Sequence, residues 1–257
     1  MSSREQSVTL LRRNKRKMVD NLTALGFTGL SDNMRASDFP KYIKWAGGLL
    51  DLTVAANRVL EDGSIEHRYF TEAEWKSLSD ENKSLFFRRG IRVRAEKQSF
   101  VIPLEHLGDC KWCEESVGVP DLPTYSSSAV PDSKYVGLLN EVSSRQYTEL
   151  ISGISATTPA SDAVLAFRAD EPQDDSEWGL PCPIHLLLIY RYFNEINAFI
   201  TSISNAGNKI GETVAWTCIP SSTTVAWQFN LSDATINAAT KTTVARVIPI
   251  CVEPSNL

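Results

Sequence analysis

The chain has little histidine, three residues in 257, and it lacks both common glycine-rich phosphate loops, a Gly-x-Ser-x-Gly elbow and a second Cys-x-x-Cys. Each absence removes a class of chemistry. A Ser-His-Asp arrangement would have to recruit His67, His106 or His185, which fall in three separate segments. Without a phosphate loop there is no signal for nucleotide binding. Cys110-Lys-Trp-Cys113 has the spacing of half a zinc site or of a redox pair. A closed zinc site needs two more ligands, and only His106 is near; the redox reading needs a thioredoxin-like βαβ pattern that is missing. No metal and no cofactor are therefore expected. Long apolar runs are also missing: stretches such as Ile184 to Ile189 fall far short of the roughly 20 residues that span a bilayer. The opening MSSREQ is polar, so neither a membrane span nor a signal peptide is expected. The five cysteines, Cys110, Cys113, Cys182, Cys218 and Cys251, are an odd count. That argues against a complete disulfide framework and for reduced thiols in packing roles, leaving open one bridge formed later in a more oxidising place.

What is present fits a globular protein. With 42% hydrophobic and 22% charged residues, the chain can bury a full core and has room for two domains. The net charge of −5 is unevenly spread, since RRNKRK at 12–17 is basic and ADEPQDDSE at 169–177 is acidic. The basic run, with Arg12, Arg13, Arg16 and Lys17, reads as a solvated or protein-docking face, and nucleic acid is not an expected partner. The acidic run lacks EF-hand spacing and reads as a solvated loop. Near the N-terminus, Val8, Leu11, Met18, Leu22 and Leu25 follow alternating steps of three and four, with Lys15 as a polar interruption. That is a short heptad seam, fit either for self-association or for packing on the chain's own domain. Gly26 reads as its stop, and Ser37 or Asp38 as the cap of a short helix with Tyr42, Ile43 and Trp45 as anchors.

The pattern then predicts an α+β fold. LLDLTVAANRVL and IEHRYF read as a hairpin turned at Asp62-Gly63; Thr71-Glu-Ala-Glu74 is a capping box opening a helix through Trp75, Leu78 and Phe86. IRVRA and SFVIP make a second hairpin. Three prolines, Pro120, Pro123 and Pro131, and a serine cluster then suggest a linker. Helices are expected at about Ala160 to Arg168 and Ile184 to Ile203, followed by short strands in GETVAWTCI, TTVAWQFNL and KTTVARVIPICV, with a further piece near Thr235. The expected units are an N-terminal helix at 1–30, a small α+β adaptor at 31–108, a linker at 109–135 and a second α+β domain at 136–257, with two helices and short antiparallel strands. Trp75, Trp178, Trp216 and Trp227 sit inside apolar patterns and are expected in the core. The hydroxyl run Ser221, Ser222, Thr223 and Thr224 reads as the polar turn between two tryptophan-anchored strands. With Gln228 and Asn230 on one face by period two, these are the candidate partner-contact positions.

The order of C-terminal motifs carries a resemblance. Trp178-Gly-Leu-Pro181, a helix closing with Glu195-Ile-Asn197, Ala215-Trp216-Thr217, Ser221-Ser222, Ala226-Trp227, Lys241 and Ala245-Arg246-Val247-Ile248 together resemble the C-type-lectin-like domains common in Bacteroidetes and their phages. The family pattern runs W-x-L-P-S, helix, I-N, Y-W-S-S-T, S-x-x-A-W, K, V-R-x-V, and the match covers about 147–252. Cys182 stands where the family has Ser after Leu-Pro, and Trp216-Thr-Cys replaces Trp-Ser-Ser. The acidic-amide motif of the calcium-dependent branch is absent. So are the extended motifs of the sulfatase-activating enzymes of this fold, which makes Cys218 and Cys251 poor nucleophile candidates. KMVDNLTALGFTGLSDNMRASDFPKYI is similar to the N-terminal helix, loop and helix of structural proteins from phages infecting Bacteroidetes. The resemblance implies a non-enzymatic virion component, a head fibre, tail or capsid decoration protein assembled in the host cytoplasm. It would dock on other virion proteins through its N-terminal part as a homo-oligomer, a trimer being one arrangement, and meet a host glycan or protein. The alternatives are a secreted or surface adhesin and, behind it, an enzyme.

Overall fold

The computed structural model describes residues 50–95, 98–125, 141–204 and 209–253, with 27–28, 44–45 and 139. The heptad-seam residues Val8, Leu11, Met18, Leu22 and Leu25 and the basic residues Arg12, Arg13, Arg16 and Lys17 lie outside the described residues, as do Ser37 and Asp38. A first short pair, β1 (Phe27–Thr28) and β2 (Lys44–Trp45), is antiparallel, so Trp45 stands in a strand and not in the expected helix.

The first hairpin forms as its sequence predicts: β3 (Asp51–Val59) and β4 (Ile65–Phe70) pair antiparallel, and Gly63 supplies the left-handed backbone of the turn at φ 82°. Thr71 caps α1 (Glu72–Ser77) with both bonds of the capping box. The helix is shorter than expected: Leu78 is extended, and Ser79 caps a separate turn, α2 (Asp80–Ser84). The second hairpin joins β5 (Phe87–Ala95) to β6 (Gln98–Ile102).

After β6 the structure departs from the expected division. The linker expected at 109–135 begins as strand β7 (Asp109–Lys111), and Trp112 and Cys113 behind it are fully buried. Next come α3 (Ser144–Ser152), which the sequence reading missed, α4 (Pro159–Ala166) and the short strand β8 (Trp178–Gly179). The single helix expected over Ile184 to Ile203 is two, α5 (Pro183–Arg191) and α6 (Phe193–Ile203), because Tyr192 leaves helical geometry at φ −111°, ψ 28°. Strands β9 (Val214–Pro220), β10 (Val225–Asn230), β11 (Ile236–Thr240), β12 (Val244–Arg246) and β13 (Ile250–Val252) complete the fold. The class is α+β, as the pattern predicts.

The strands form a five-stranded sheet, β11-β10-β9-β12-β7, and a six-stranded sheet, β4-β3-β5-β6-β13-β8. The six-stranded sheet contains strands from either side of the expected linker, and the five-stranded sheet joins β7, from within that linker, to strands that follow it. Residues 98–111 and 244–252 run antiparallel along one another: Val101 faces Cys251 in the six-stranded sheet, and Cys110 faces Ala245 in the five-stranded one. This two-chain ribbon passes from one sheet to the other through Pro103 on one chain and Pro249 on the other. A proline has no N–H to continue a ladder, so both chains leave their sheet there. The buried apolar residues of both sheets and the helices belong to one cluster. The adaptor and C-terminal units therefore share the six-stranded sheet and the core.

Candidate binding surface

The hydroxyl run is the turn of the β9–β10 hairpin. Ser221 and Ser222 donate their backbone N–H groups to the carbonyl of Val225 at 2.9 and 3.1 Å, while the Ser222 hydroxyl accepts from the N–H groups of Thr224 and Val225, both at 3.2 Å. Ser222 thus stands in for backbone and fixes the turn. Ser221 is buried, Ser222 half-buried, and Thr223 and Thr224 are exposed. Of the six positions singled out, the exposed tip is Thr223 and Thr224. Gln228 is buried at 8% exposure, and the Asn230 side chain accepts from the N–H and hydroxyl of Ser232, closing its own local turn. The β9–β10 ladder is regular from Gln228 to Asn230, so the two share a face of β10 by period two, and the register shift falls before them, between Ala226 and Gln228.

Behind this tip the tryptophans are core, as expected, with Trp216 fully buried and Trp227 at 1%. Their indole N–H groups donate to the carbonyls of Cys110 and Tyr125 at 2.9 Å each, and that of Trp112 donates to the carbonyl of Thr217 at 2.8 Å. Three indole bonds thus lace residues 110–125 to the β9–β10 hairpin. Lys241 completes the lacing. Fully buried, it donates from Nζ to the Val117 carbonyl at 2.6 Å and lies 4.6 Å from the Trp112 ring centre. Burial pulls its pKa down.

The remaining reactive side chains are also engaged in packing. His185 is fully buried on α5, where its Nδ1 accepts the backbone N–H of Cys182 at 3.1 Å; burial drives its pKa down to about 3, so the ring is a neutral cap. Cys113, Cys182 and Cys218 are fully buried, and Cys251 is 5% exposed. Burial pushes the Cys251 thiol up to about 11, away from nucleophilic thiolate. Glu141 accepts from the hydroxyls of Tyr125 and Tyr147, and burial followed by that hydrogen bond raises both phenols.

The acidic loop is more than a solvated run. Asp174 is fully buried in its side chain, pairs with Arg168 at 3.3 Å, and accepts from the Trp178 indole at 3.1 Å and the Ser176 backbone N–H at 3.0 Å. Arg168, held in a left-handed backbone at φ 56°, also pairs with Glu105 and donates to the Arg89 carbonyl at 2.8 Å. Arg89 in turn forms a buried pair with Glu253. These charges spend their valence on one another. Among the described residues no three carboxylate, thiol or imidazole groups gather as a metal site would require.

One concavity was not foreseen. A cavity of about 250 Å³ lies where the ribbon changes sheet, walled by Ile102, Pro103, Ile248 and Pro249 and also lined by His106 and Arg246. Arg246 is held by Asp109 at 2.7 Å. The cavity is lined from three separate stretches, 102–106, 209–213 and 246–249, so no local motif could announce it. No helix among the described residues is long and apolar enough to cross a membrane.

No family model and no curated protein matches the chain. Among solved structures, it is similar to a fimbrial protein from Bacteroides ovatus ATCC 8483, at a TM-score of 0.47 and 9% identity, over 87% of this chain and 46% of that one. The chain spans about half the length of that protein.

Proposed function

We propose that the protein is a non-catalytic structural component of a phage virion, docked through its N-terminal part and displaying a binding domain of C-type-lectin-like arrangement. One observation carries this reading. Most residues of the C-terminal motif series are spent on packing, and the turn of the hairpin they build exposes its hydroxyl tip, Thr223 and Thr224. Gly179 of the Trp-Gly-Leu-Pro motif lies so close to α3 that a Cβ there would sit 2.5 Å from Ser144 Oγ. Trp216 and Trp227 anchor the hairpin, and Lys241 clamps the segment beneath it. A protein built this way recognises by shape and hydroxyl contact, with a host glycan or protein as the partner.

The test is localisation with assembly. Antibody-gold labelling of purified particles should decorate heads or tails, and light scattering should find an oligomer that Leu11→Asp with Leu22→Asp reduces to monomers. Labelling confined to cell surfaces, with particles bare, would replace the virion reading by the adhesin one.

A further inference from the structure

Cys182 and Cys218 are 36 positions apart in sequence, yet their sulfurs lie 3.2 Å from one another, both side chains fully buried. Cys182 is the N-cap of α5, and Cys218 lies within β9. The two chains are pinned side by side, since the Cys218 N–H donates to the Pro181 carbonyl at 2.9 Å. A disulfide needs the sulfurs at about 2.05 Å, so closure asks for a movement of about 1 Å, which small χ1 rotations of two unbranched side chains supply. The other three cysteines belong to β7, the turn after it and β13. Serines of the lectin-like pattern are replaced at three positions, Cys182, Thr217 and Cys218, and the two that carry a thiol are the two that face each other.

We propose that Cys182 and Cys218 are a latent disulfide site, closed by a small-molecule disulfide such as oxidised glutathione. One thiolate attacks the small disulfide and forms a mixed disulfide, releasing a first glutathione thiol. The second cysteine attacks the protein-bound sulfur and releases the other. The protein loses two protons and two electrons in forming one S–S bond, and the oxidant gains them as two thiols. The closed loop contains both α5 and α6, so the bridge ties the helices to β9 and the hydroxyl tip it carries. Burial, followed by the hydrogen bond between the two sulfurs, raises Cys182 well above the ordinary thiol range, so exchange with the folded protein is slow. Closure therefore proceeds when the region opens or while the chain folds. In a reducing cytosol the pair stays as two packed thiols.

The experiment is oxidative refolding of the full chain. Denatured protein is refolded in oxidised glutathione or in excess reductant, alkylated, digested without reduction and mapped by mass. The expected result is one cross-linked peptide pair joining Cys182 to Cys218, with a melting temperature roughly 5–10 °C above the reduced form. Cys182→Ser and Cys218→Ser each abolish the cross-link, and Cys110→Ser keeps it. Should a serine variant fail to fold, the map of the unaltered chain still decides. The proposal is overturned by a bridge between any other pair, by both thiols remaining alkylatable or carrying glutathione, or by an oxidised form melting at or below the reduced one.

Discussion

His185 caps its helix with Nδ1 while its other ring nitrogen, Nε2, is buried without a hydrogen-bond partner. Charging such a ring inside the fold is costly, which is why its pKa falls from 6.5 to about 3. The folded state then binds fewer protons than the unfolded state between those values. His185 therefore contributes its full stability above pH 6.5, and that contribution is lost as pH falls toward 3. Urea unfolding of the natural protein and of His185→Gln should differ across this window by on the order of 4 kcal/mol, with the natural protein losing more; parallel pH profiles would disprove the buried neutral ring. Gly179 supports a second prediction at this scale. A Cβ there would stand 2.8 Å from the Arg145 backbone nitrogen as well as 2.5 Å from Ser144 Oγ. Backbone cannot yield cheaply, so Gly179→Ala should destabilise by roughly 2–3 kcal/mol in denaturant melts. A neutral substitution would mean that α3 stands off β8 by more than the structure has it.

At the scale of elements, residues 109–125 change most between the sequence reading and the structure. Their prolines at 120 and 123 signal a break in regular structure, and the chain there is indeed irregular beyond Lys111. Irregular is not free. Trp112 is fully buried, the carbonyls of Cys110 and Tyr125 accept indole bonds, and Val117 accepts from Lys241. A tryptophan contributes about 150–250 Å² of buried surface, enough to hold a proline-rich segment against a sheet. Trypsin should therefore cut after Lys111 only at the rate of global unfolding, read by timed digestion and mass mapping. Early cleavage at Lys111 leaving two stable pieces would restore the linker. The signal that could have found this segment was Trp112 itself, which the Cys-x-x-Cys spacing drew into a metal or redox question. The long C-terminal helix was misread for a similar reason: its apolar stripe continues through Tyr192, and only the backbone bend there separates α5 from α6.

The whole molecule is tied by the two-chain ribbon. β6 pairs with β13 and β7 with β12, so residues 98–111 have their ladder partners at 244–252. The buried Arg89–Glu253 pair adds a charged tie from β5 to the residue that follows β13, and removing one partner of such a pair typically costs about 3–5 kcal/mol. Fragments 1–108 and 136–257 should each fail to fold alone, with weak near-ultraviolet dichroism and no cooperative melt, since each exposes unpaired strand edges and half a core. A cooperative melt from either fragment would re-establish separate domains.

Local chemistry was legible in the sequence wherever partners are neighbours along the chain. The Asp62-Gly63 turn, the Thr71 capping box, the Ser222 turn and the burial of Trp75, Trp178, Trp216 and Trp227 all follow from spacing and periodicity, which short-range hydrogen bonds and apolar faces dictate. What only the tertiary structure decided is which distant segments meet. Strand pairing satisfies backbone groups without regard to side chain, so nothing in the letters of 98–111 names 244–252 as their partner. The same holds for the contact of Cys182 with Cys218, for the pairing of Arg89 with Glu253, and for the cavity at the ribbon's bend. Each joins groups that the sequence keeps apart and that only the packing of two sheets brings within reach.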